Sequence, residues 1–276
     1  MSPIKISSAF VIALIVAANV CCQKMTPTAP ETFASHDAIA SFSLPGMDAG
    51  VVGFTKVVIQ VTGKGMDTLR KELIPSAGLI KDTLKVSAGS DRIFSVTAFK
   101  NSTAVMAAAD TVDLAGGKKV NLNLKMAFLI PAITLTPTEK SVAQNDTFSV
   151  YFKVHKVDSL SGVGARLTFD KTKLQAVELG RVDTFLASRG GSVVQLQFNK
   201  DNASGIVNLV LGLIGPVQAV SGEGLVGRVL FKAITPATQT ELTVTADNSI
   251  DSNLGLLNNK GLSMNPFTIG SKVIIR

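Results

Sequence analysis

Two histidines, His36 and His155, limit the catalytic chemistry that this chain could perform. His36 precedes the first strand-like segment, and His155 alternates with apolar residues on a predicted strand, where we expect it on the exposed side. A histidine-based triad needs a convergent nucleophile, and a zinc site needs several ligands. The sequence also has no nucleophile-elbow, P-loop or dinucleotide-binding motif. We therefore predict a protein that is not an enzyme and that uses no cofactor.

Acidic residues provide two other kinds of site to consider. The first group comprises Asp170, Glu178 and Asp183. Their close spacing suggests the paired carboxylates of a glycosidase. These residues fall in a predicted corner and loop, without aromatic neighbours. A second group, with oxygen ligands suited to Ca²⁺, comprises Asp146, Asp158, Asp201 and Asn202. Because their spacing matches no EF-hand loop, we predict no metal site.

Aromatic residues, which stack on sugars and on nucleic-acid bases, are scarce in this chain. There is no Trp, and Tyr151 is the single Tyr. A planar sugar platform cannot be built from one ring, so polysaccharide binding at Tyr151 is only an alternative. The net charge of +7 comes from 27 basic and 20 acidic residues, but the basic residues are scattered. We therefore expect no nucleic-acid binding.

The N-terminal segment is typical of an export signal. Residues 9–18 form an apolar run of about ten residues, whereas a membrane-spanning helix needs roughly 20. Cys21 and Cys22 follow, and the stretch ANVC resembles a bacterial lipobox with Val20 in place of a small residue. Lipidation of Cys21, cleavage after Ala18 with plain secretion, and an uncleaved anchor all stay open. Each predicts a location outside the cytoplasm, and lipidation predicts anchoring at the outer face of a bacterial membrane.

The remainder of the chain is predicted to be all-β. Between residues 38 and 127, about seven short segments alternate apolar and polar residues, as in IFSVTAFK, which indicates an Ig- or fibronectin-like sandwich. Between residues 131 and 276, about nine such segments indicate a jelly-roll sandwich. The predicted organisation is a signal peptide (1–20), a tether (21–37), an Ig-like β-sandwich (38–127) and a nine-stranded jelly-roll domain (131–276).

Three motifs in the second half resemble those of cohesin domains, the scaffold modules of cellulosomes. The stretch GVGARLTFDKTKL (162–174) joins a strand to an acidic corner and an apolar residue. NASG (202–205) introduces an apolar strand, and SGEGLVGRVLFK (221–232) opens another with glycines. We expect Asp170 to accept hydrogen bonds from the turn that follows it, and Leu174 to return to the core.

The resemblance implies a function as well as a fold. Cohesins hold the calcium-loaded dockerin on one sheet face, formed by their third, fifth, sixth and eighth strands. The outward residues of the matching strands here are Arg166, Thr168, Gln195, Gln197 and Asn208. The Asn and Asp that cellulosomal cohesins carry on the third strand correspond to Gly162 and Gly164, which departs from the pattern for cellulosomal dockerins.

The implied function is a non-catalytic cell-surface module. Such a module would anchor a dockerin-like or other partner protein at the envelope, including in polysaccharide-degrading assemblies. Two alternatives stay open: a carbohydrate-binding or adhesion module of the cell surface, and an Ig-type spacer with no ligand of its own.

Overall fold

The computed structural model describes residues 37–48, 52–76, 79–215 and 219–276. The export signal, the tether with Cys21, and His36 lie outside the described residues. Twenty strands are assigned within these ranges, and the prediction of an all-β fold is confirmed. In the described part of the chain, no helix is long and apolar enough to span a membrane.

The N-terminal sandwich consists of two sheets whose apolar sides share one core. The strands of the first sheet, in spatial order, are β4 (Leu79–Ser87), β1 (Asp37–Asp48) and β7 (Lys119–Asn123). Those of the second sheet are β3 (Leu69–Leu73), β2 (Lys56–Thr62), β5 (Gly89–Lys100), β6 (Thr103–Leu114) and β8 (Ala127–Phe128). Alternation along β5 buries Phe94, Val96 and Ala98 and leaves the intervening residues more exposed, as the sequence predicted.

A buried arginine closes one end of this sandwich. The Arg92 guanidinium donates hydrogen bonds to the carbonyl oxygens of Ser87 (3.0 Å), Lys64 (2.7 Å) and Ala88 (2.6 Å). Because carbonyl groups buried without a donor are costly, the side chain stabilises two backbone segments at once, the one at Lys64 and the one at Ser87 and Ala88.

The C-terminal sandwich contains the other twelve strands. They are β9 (Ala132–Thr136), β10 (Glu139–Val142), β11 (Thr147–Phe169), β12 (Leu174–Arg181), β13 (Ser192–Asp201), β14 (Ile206–Ile214), β15 (Val220–Ala233), β16 (Ala237–Thr245), β17 (Gly255–Asn258), β18 (Ser263–Met264), β19 (Phe267–Ile269) and β20 (Ser271–Ile275). Their buried residues form a second apolar core.

Strand β11 takes part in both sheets of the C-terminal sandwich. The first part of its 23 residues pairs with β9 and β15, and the last part pairs with β14, β16 and β17. The two parts join through register shifts near Lys156 (φ 52°) and Ser159 (φ 54°). The sequence predicted two separate strands here. The structure joins them because bulges bend a strand without ending its pairing.

The acidic corner after β11 is formed as expected. Asp170 Oδ1 accepts hydrogen bonds from the Thr172 amide (2.8 Å) and hydroxyl (2.7 Å). These two bonds, the hydroxyl first, lower the pKa of Asp170. Leu174 is buried in the core, and burying a leucine contributes about 1.5–3 kcal/mol. The motif therefore fixes the point at which the chain crosses between sheets.

The two cores are linked through β9 and β19, which pair in parallel. Along β9, Ala132 belongs to the N-terminal core, whereas Ile133 and Leu135 belong to the C-terminal core. From β19, Phe267 lies in the N-terminal core and stacks on Phe54 with 5.9 Å between ring centroids. One strand therefore has side chains in both cores.

Candidate functional site

The outer face, defined as the solvent side of β16, β11, β14 and β13, is the surface that the sequence predicted to bind a partner. Arg166 lies between Thr245 on β16 and Asn208 on β14, and Asn208 lies opposite Asn199 on β13. Residues directly opposite in adjacent strands point to the same side of a sheet. A row of polar side chains therefore crosses four strands.

Hydrogen bonds hold these polar side chains in place. The Arg166 Nε donates to Asn208 Oδ1 at 2.9 Å, and its Nη2 donates to Asp251 Oδ2 at 2.7 Å. The amides of Asn208 and Gln197 both donate to Asn199 Oδ1 at 3.4 Å. The Asn253 backbone amide, followed by Arg166, lowers the pKa of Asp251, so the carboxylate stays charged beside the guanidinium. We call this group the Arg166 cluster.

The other end of the outer face is apolar. Gly162 and Gly212 lie opposite each other at its centre, flanked in register by Leu257 on β17 and Val194 on β13. Leu196, at the bulge in β13, is 71% exposed, and its Cδ1 would lie 4.0 Å from a Cβ placed on Gly212. We call this surface, with Gly162 and Gly212 between Leu196 and Leu257 (40% exposed), the apolar trough. Ile214 (54% exposed) extends it along β14.

A loop covers the outer face beside the trough. Residues 247–254, between β16 and β17, pass so close to Gly164 that a Cβ there would lie 1.8 Å from the Asn253 carbonyl oxygen. The Arg166–Asp251 ion pair holds the same loop. Gly162 and Gly164 lie where cellulosomal cohesins carry an Asn and an Asp. The 247–254 loop covers Gly164, and Gly162 lies in the trough beside Leu257.

The structure brings most of the predicted face residues together. Arg166, Gln197 and Asn208 belong to one cluster, and Thr168 lies one row along, opposite Ile206 and Thr243. Gln195 differs, because it pairs with the buried Leu211 and so lies on the opposite side of β13 from Gln197. A bulge between Gln195 and Gln197 interrupts the alternation that the sequence pattern assumed, and it puts Leu196 outward.

The apolar residues of the trough were missed by the sequence analysis. A signal for them exists in IVNLVLGLI (206–214), which is apolar at nearly every position rather than at every second one. Such a run indicates a strand with apolar side chains on both faces. Tyr151 lies on the other sheet, opposite Thr136 and Arg228, away from the outer face.

His155 is not the exposed strand residue that the alternation predicted. Its side chain is 12% exposed, because the Phe128 ring packs on the imidazole with 4.4 Å between centroids. Nδ1 lies 3.0 Å from Glu223 Oε2, and Nε2 lies 2.9 Å from the Thr134 hydroxyl. Burial, opposed by the Glu223 hydrogen bond, lowers the pKa of His155. The residue pattern of β11 alone could not reveal that Phe128, from the N-terminal sandwich, covers His155.

The order Thr134, His155, Glu223 resembles a nucleophile, base and acid in line. A nucleophile must be reachable by its substrate, but Thr134 is 5% exposed. We therefore interpret these hydrogen bonds as structural, holding β9 to β11 and β15. Within the described ranges, no group of three or more His, Cys, Asp or Glu side chains is placed to hold a metal ion.

Comparison with known proteins shows similarity only among solved structures. No protein-family model and no curated protein matches this chain. A non-cellulosomal cohesin from the archaeon Archaeoglobus fulgidus is 14% identical, with 53% of this chain and 91% of that chain covered and a TM-score of 0.40. The OlpA cohesin in a type I cohesin–dockerin complex from Clostridium thermocellum is 16% identical, with coverages of 53% and 99% and a TM-score of 0.41.

A third solved structure is a type II cohesin domain from the cellulosome of Acetivibrio cellulolyticus. It is 14% identical, with 52% of this chain and 95% of that chain covered and a TM-score of 0.43. At such identities the likeness concerns the fold alone. These three structures are cohesin domains, and cohesins are the family that the motifs at 162–174 and 221–232 resemble.

Proposed function

We propose that this protein is a non-catalytic binding module that docks a partner protein on the outer face of its C-terminal sandwich. The observation that carries the proposal is the apolar trough, in which exposed Leu196 and Leu257 lie beside Gly212 and Gly162. Gly212 is partly exposed, whereas Leu257 covers Gly162, with its Cβ 3.4 Å from where a Gly162 Cβ would lie. Exposed apolar patches rimmed by polar groups are typical of protein–protein sites. The Arg166 cluster supplies such a rim.

The partner that we propose is a dockerin-like protein, as the motif resemblance implies. It would place an apolar side chain in the trough, where the missing Cβ of Gly212 lets the partner approach the sheet closely. Polar groups beside that side chain would bond to the Arg166 cluster. Because Gly162 and Gly164 replace the Asn and Asp of cellulosomal cohesins, we propose a partner other than a cellulosomal dockerin.

We also propose that the module is held at the cell envelope, with Cys21 lipidated and residues 21–36, which precede β1, acting as a tether. The lipobox-like ANVC and the apolar run before it support this location. Mass spectrometry of the mature N-terminus tests it. A diacylated Cys21 is the expected result, and a free Asn19 would show cleavage after Ala18 with plain secretion.

Titration with dockerin-like proteins encoded in the same genome tests the docking proposal. Leu196→Asp and Leu257→Asp put a charge beside the trough, and we expect each to weaken binding by about thirtyfold, the loss typical of an interface hot spot. Ile74→Asp is the matched control, since Ile74 is an exposed aliphatic residue of the N-terminal sandwich. Equal affinities for wild type and Leu196→Asp would contradict the proposal.

A further inference from the structure

A second concave surface lies where the N-terminal sandwich meets β11 and β15. It is a groove of about 720 Å³, and its main lining residues are Lys125, Phe128, Lys153, His155, Lys156 and Glu223. Small-molecule sites in proteins usually measure about 300–1,000 Å³. We call this surface the junction groove. It is separate from the outer face.

One wall of the junction groove is apolar and held in place by packing. The Phe128 ring lies on the His155 imidazole, and Met126 and Val157 are buried beside them. Hydrogen bonds to both ring nitrogens fix the orientation of His155. A flat apolar group could therefore pack against Phe128 without rearranging the wall.

Some charged side chains of the junction groove have charged or polar partners, and others do not. Glu223 bonds to Lys153 Nζ (3.2 Å) and His155 Nδ1 (3.0 Å), and Asp158 accepts from the Ser221 hydroxyl (2.9 Å). Lys125 and Lys156 are exposed, and neither has an ion pair or hydrogen-bonded side-chain partner among the residues that the structure describes. The lining therefore carries three lysines against the two carboxylates of Glu223 and Asp158, and the ammonium groups of Lys125 and Lys156 have no ion pair among the described residues.

The backbone at Lys156 is unusual for a lysine. Its φ of 52° lies in the left-handed region, and a register shift between Val154 and Val157 accompanies it. This region is unfavourable for non-glycine residues, and such residues and bulges concentrate at functional sites. In a regular strand, Lys156 would point to the same side as the buried Val154. The bulge is thus part of what makes Lys156 a lining residue of the groove.

We propose that the junction groove binds a small organic anion with a flat apolar body. The body lies against Phe128, and the anionic group, a carboxylate or sulfonate, interacts with the ammonium groups of Lys125 and Lys156. The lining has one more lysine than carboxylates, and its two exposed lysines have no ion pair among the described residues, which favours an anion over a neutral ligand. The site is independent of partner docking, because its residues belong to other strands or to the other end of β11.

Fluorescence titration of the full chain with 8-anilinonaphthalene-1-sulfonate, an aryl sulfonate, tests the proposal. We expect saturable binding by the wild type and a loss of affinity on the order of tenfold or more in Lys125→Glu/Lys156→Glu. Lys81→Glu/Lys119→Glu makes the same change in net charge on the N-terminal sandwich and is expected to bind as the wild type does. Benzoate should displace the probe, and benzyl alcohol should not.

Several results would overturn the proposal. They are an absence of saturable binding, an unchanged affinity in Lys125→Glu/Lys156→Glu, and an equal loss in the matched lysine control. Leu196→Asp separates this site from the apolar trough, since loss of probe binding in that variant would place the probe on the outer face. Far-UV circular dichroism shows whether each variant is folded.

Discussion

Replacement of Phe267 by alanine is expected to destabilise both sandwiches together. Phe267 comes from the C-terminal end of the chain but is buried in the N-terminal core against Phe54. Removing a buried phenylalanine costs about 3–5 kcal/mol, including the lost ring contact. With a urea m value of about 3 kcal/mol/M, this cost lowers the unfolding midpoint by roughly 1–1.7 M.

The chain provides its own assay for this coupling. Tyr151 is the only tyrosine and there is no tryptophan, so tyrosine fluorescence reports on β11 in the C-terminal sandwich. Far-UV circular dichroism reports on both sandwiches. Because β9 has side chains in both cores, the two signals should move to lower urea together in Phe267→Ala. A fluorescence midpoint that stays at the wild-type value while the dichroism midpoint falls would refute the coupling.

Three further predictions concern single features of the structure. Arg92→Met should lower the free energy of unfolding in urea by about 2–4 kcal/mol, because three carbonyls lose their donor. Arg92→Lys should recover only part of this stability, and an unchanged unfolding midpoint in Arg92→Met would contradict the prediction. Gly164→Ala should increase amide hydrogen exchange in the 247–254 loop, because the new Cβ would lie 1.8 Å from the Asn253 carbonyl oxygen. Gly212→Ala is the control and should leave this loop protected, because the nearest atom to its Cβ lies 4.0 Å away. Burial lowers the folded pKa of His155 below 6.5, and the His155 hydrogen bond lowers that of Glu223 below 4.5, so the unfolded chain binds more protons. Stability should therefore fall as the pH drops below about 6.5, with a smaller slope in His155→Gln, and a rise on acidification would exclude this linkage.

Local sequence signals predicted much of the fold. The acidic corner at Asp170 and the return of Leu174 depend on residues within one turn, so their spacing was sufficient. Alternation in β5 identified the core-facing residues because each side of this strand has a constant environment. The polar part of the outer face was expected from the cohesin resemblance, and the expected side was right for Arg166, Gln197 and Asn208 but not for Gln195.

Features that depend on distant segments were not predictable from local patterns. The bulge that turns Leu196 outward depends on how β13 aligns with β14. The burial of His155 depends on Phe128, which belongs to the other sandwich. The short strands β17 and β18 have little sequence signal of their own, because β17 pairs along the distant strand β11 and β18 pairs in turn with β17.

The apolar surface of the outer face shows a further limit of pattern reasoning. Polar outward residues were expected on every face strand, because antiparallel sheets commonly have one solvated side. The run of apolar residues around Gly212 contradicts that expectation on β14. Such a departure from alternation is itself informative, since proteins break local patterns mainly at functional sites.

The parallel pairing of β9 with β19 has a mechanical consequence. In the arrangement proposed above, with the N-terminus at an envelope and a partner on the C-terminal sandwich, tension between the two points would cross the region where Ala132 and Phe267 enter the N-terminal core. Pulling the sandwiches apart there would draw an aromatic ring and a strand out of packed surroundings together, rather than stretch a loose linker. Single-molecule stretching should therefore show no low-force extension between the two sandwiches.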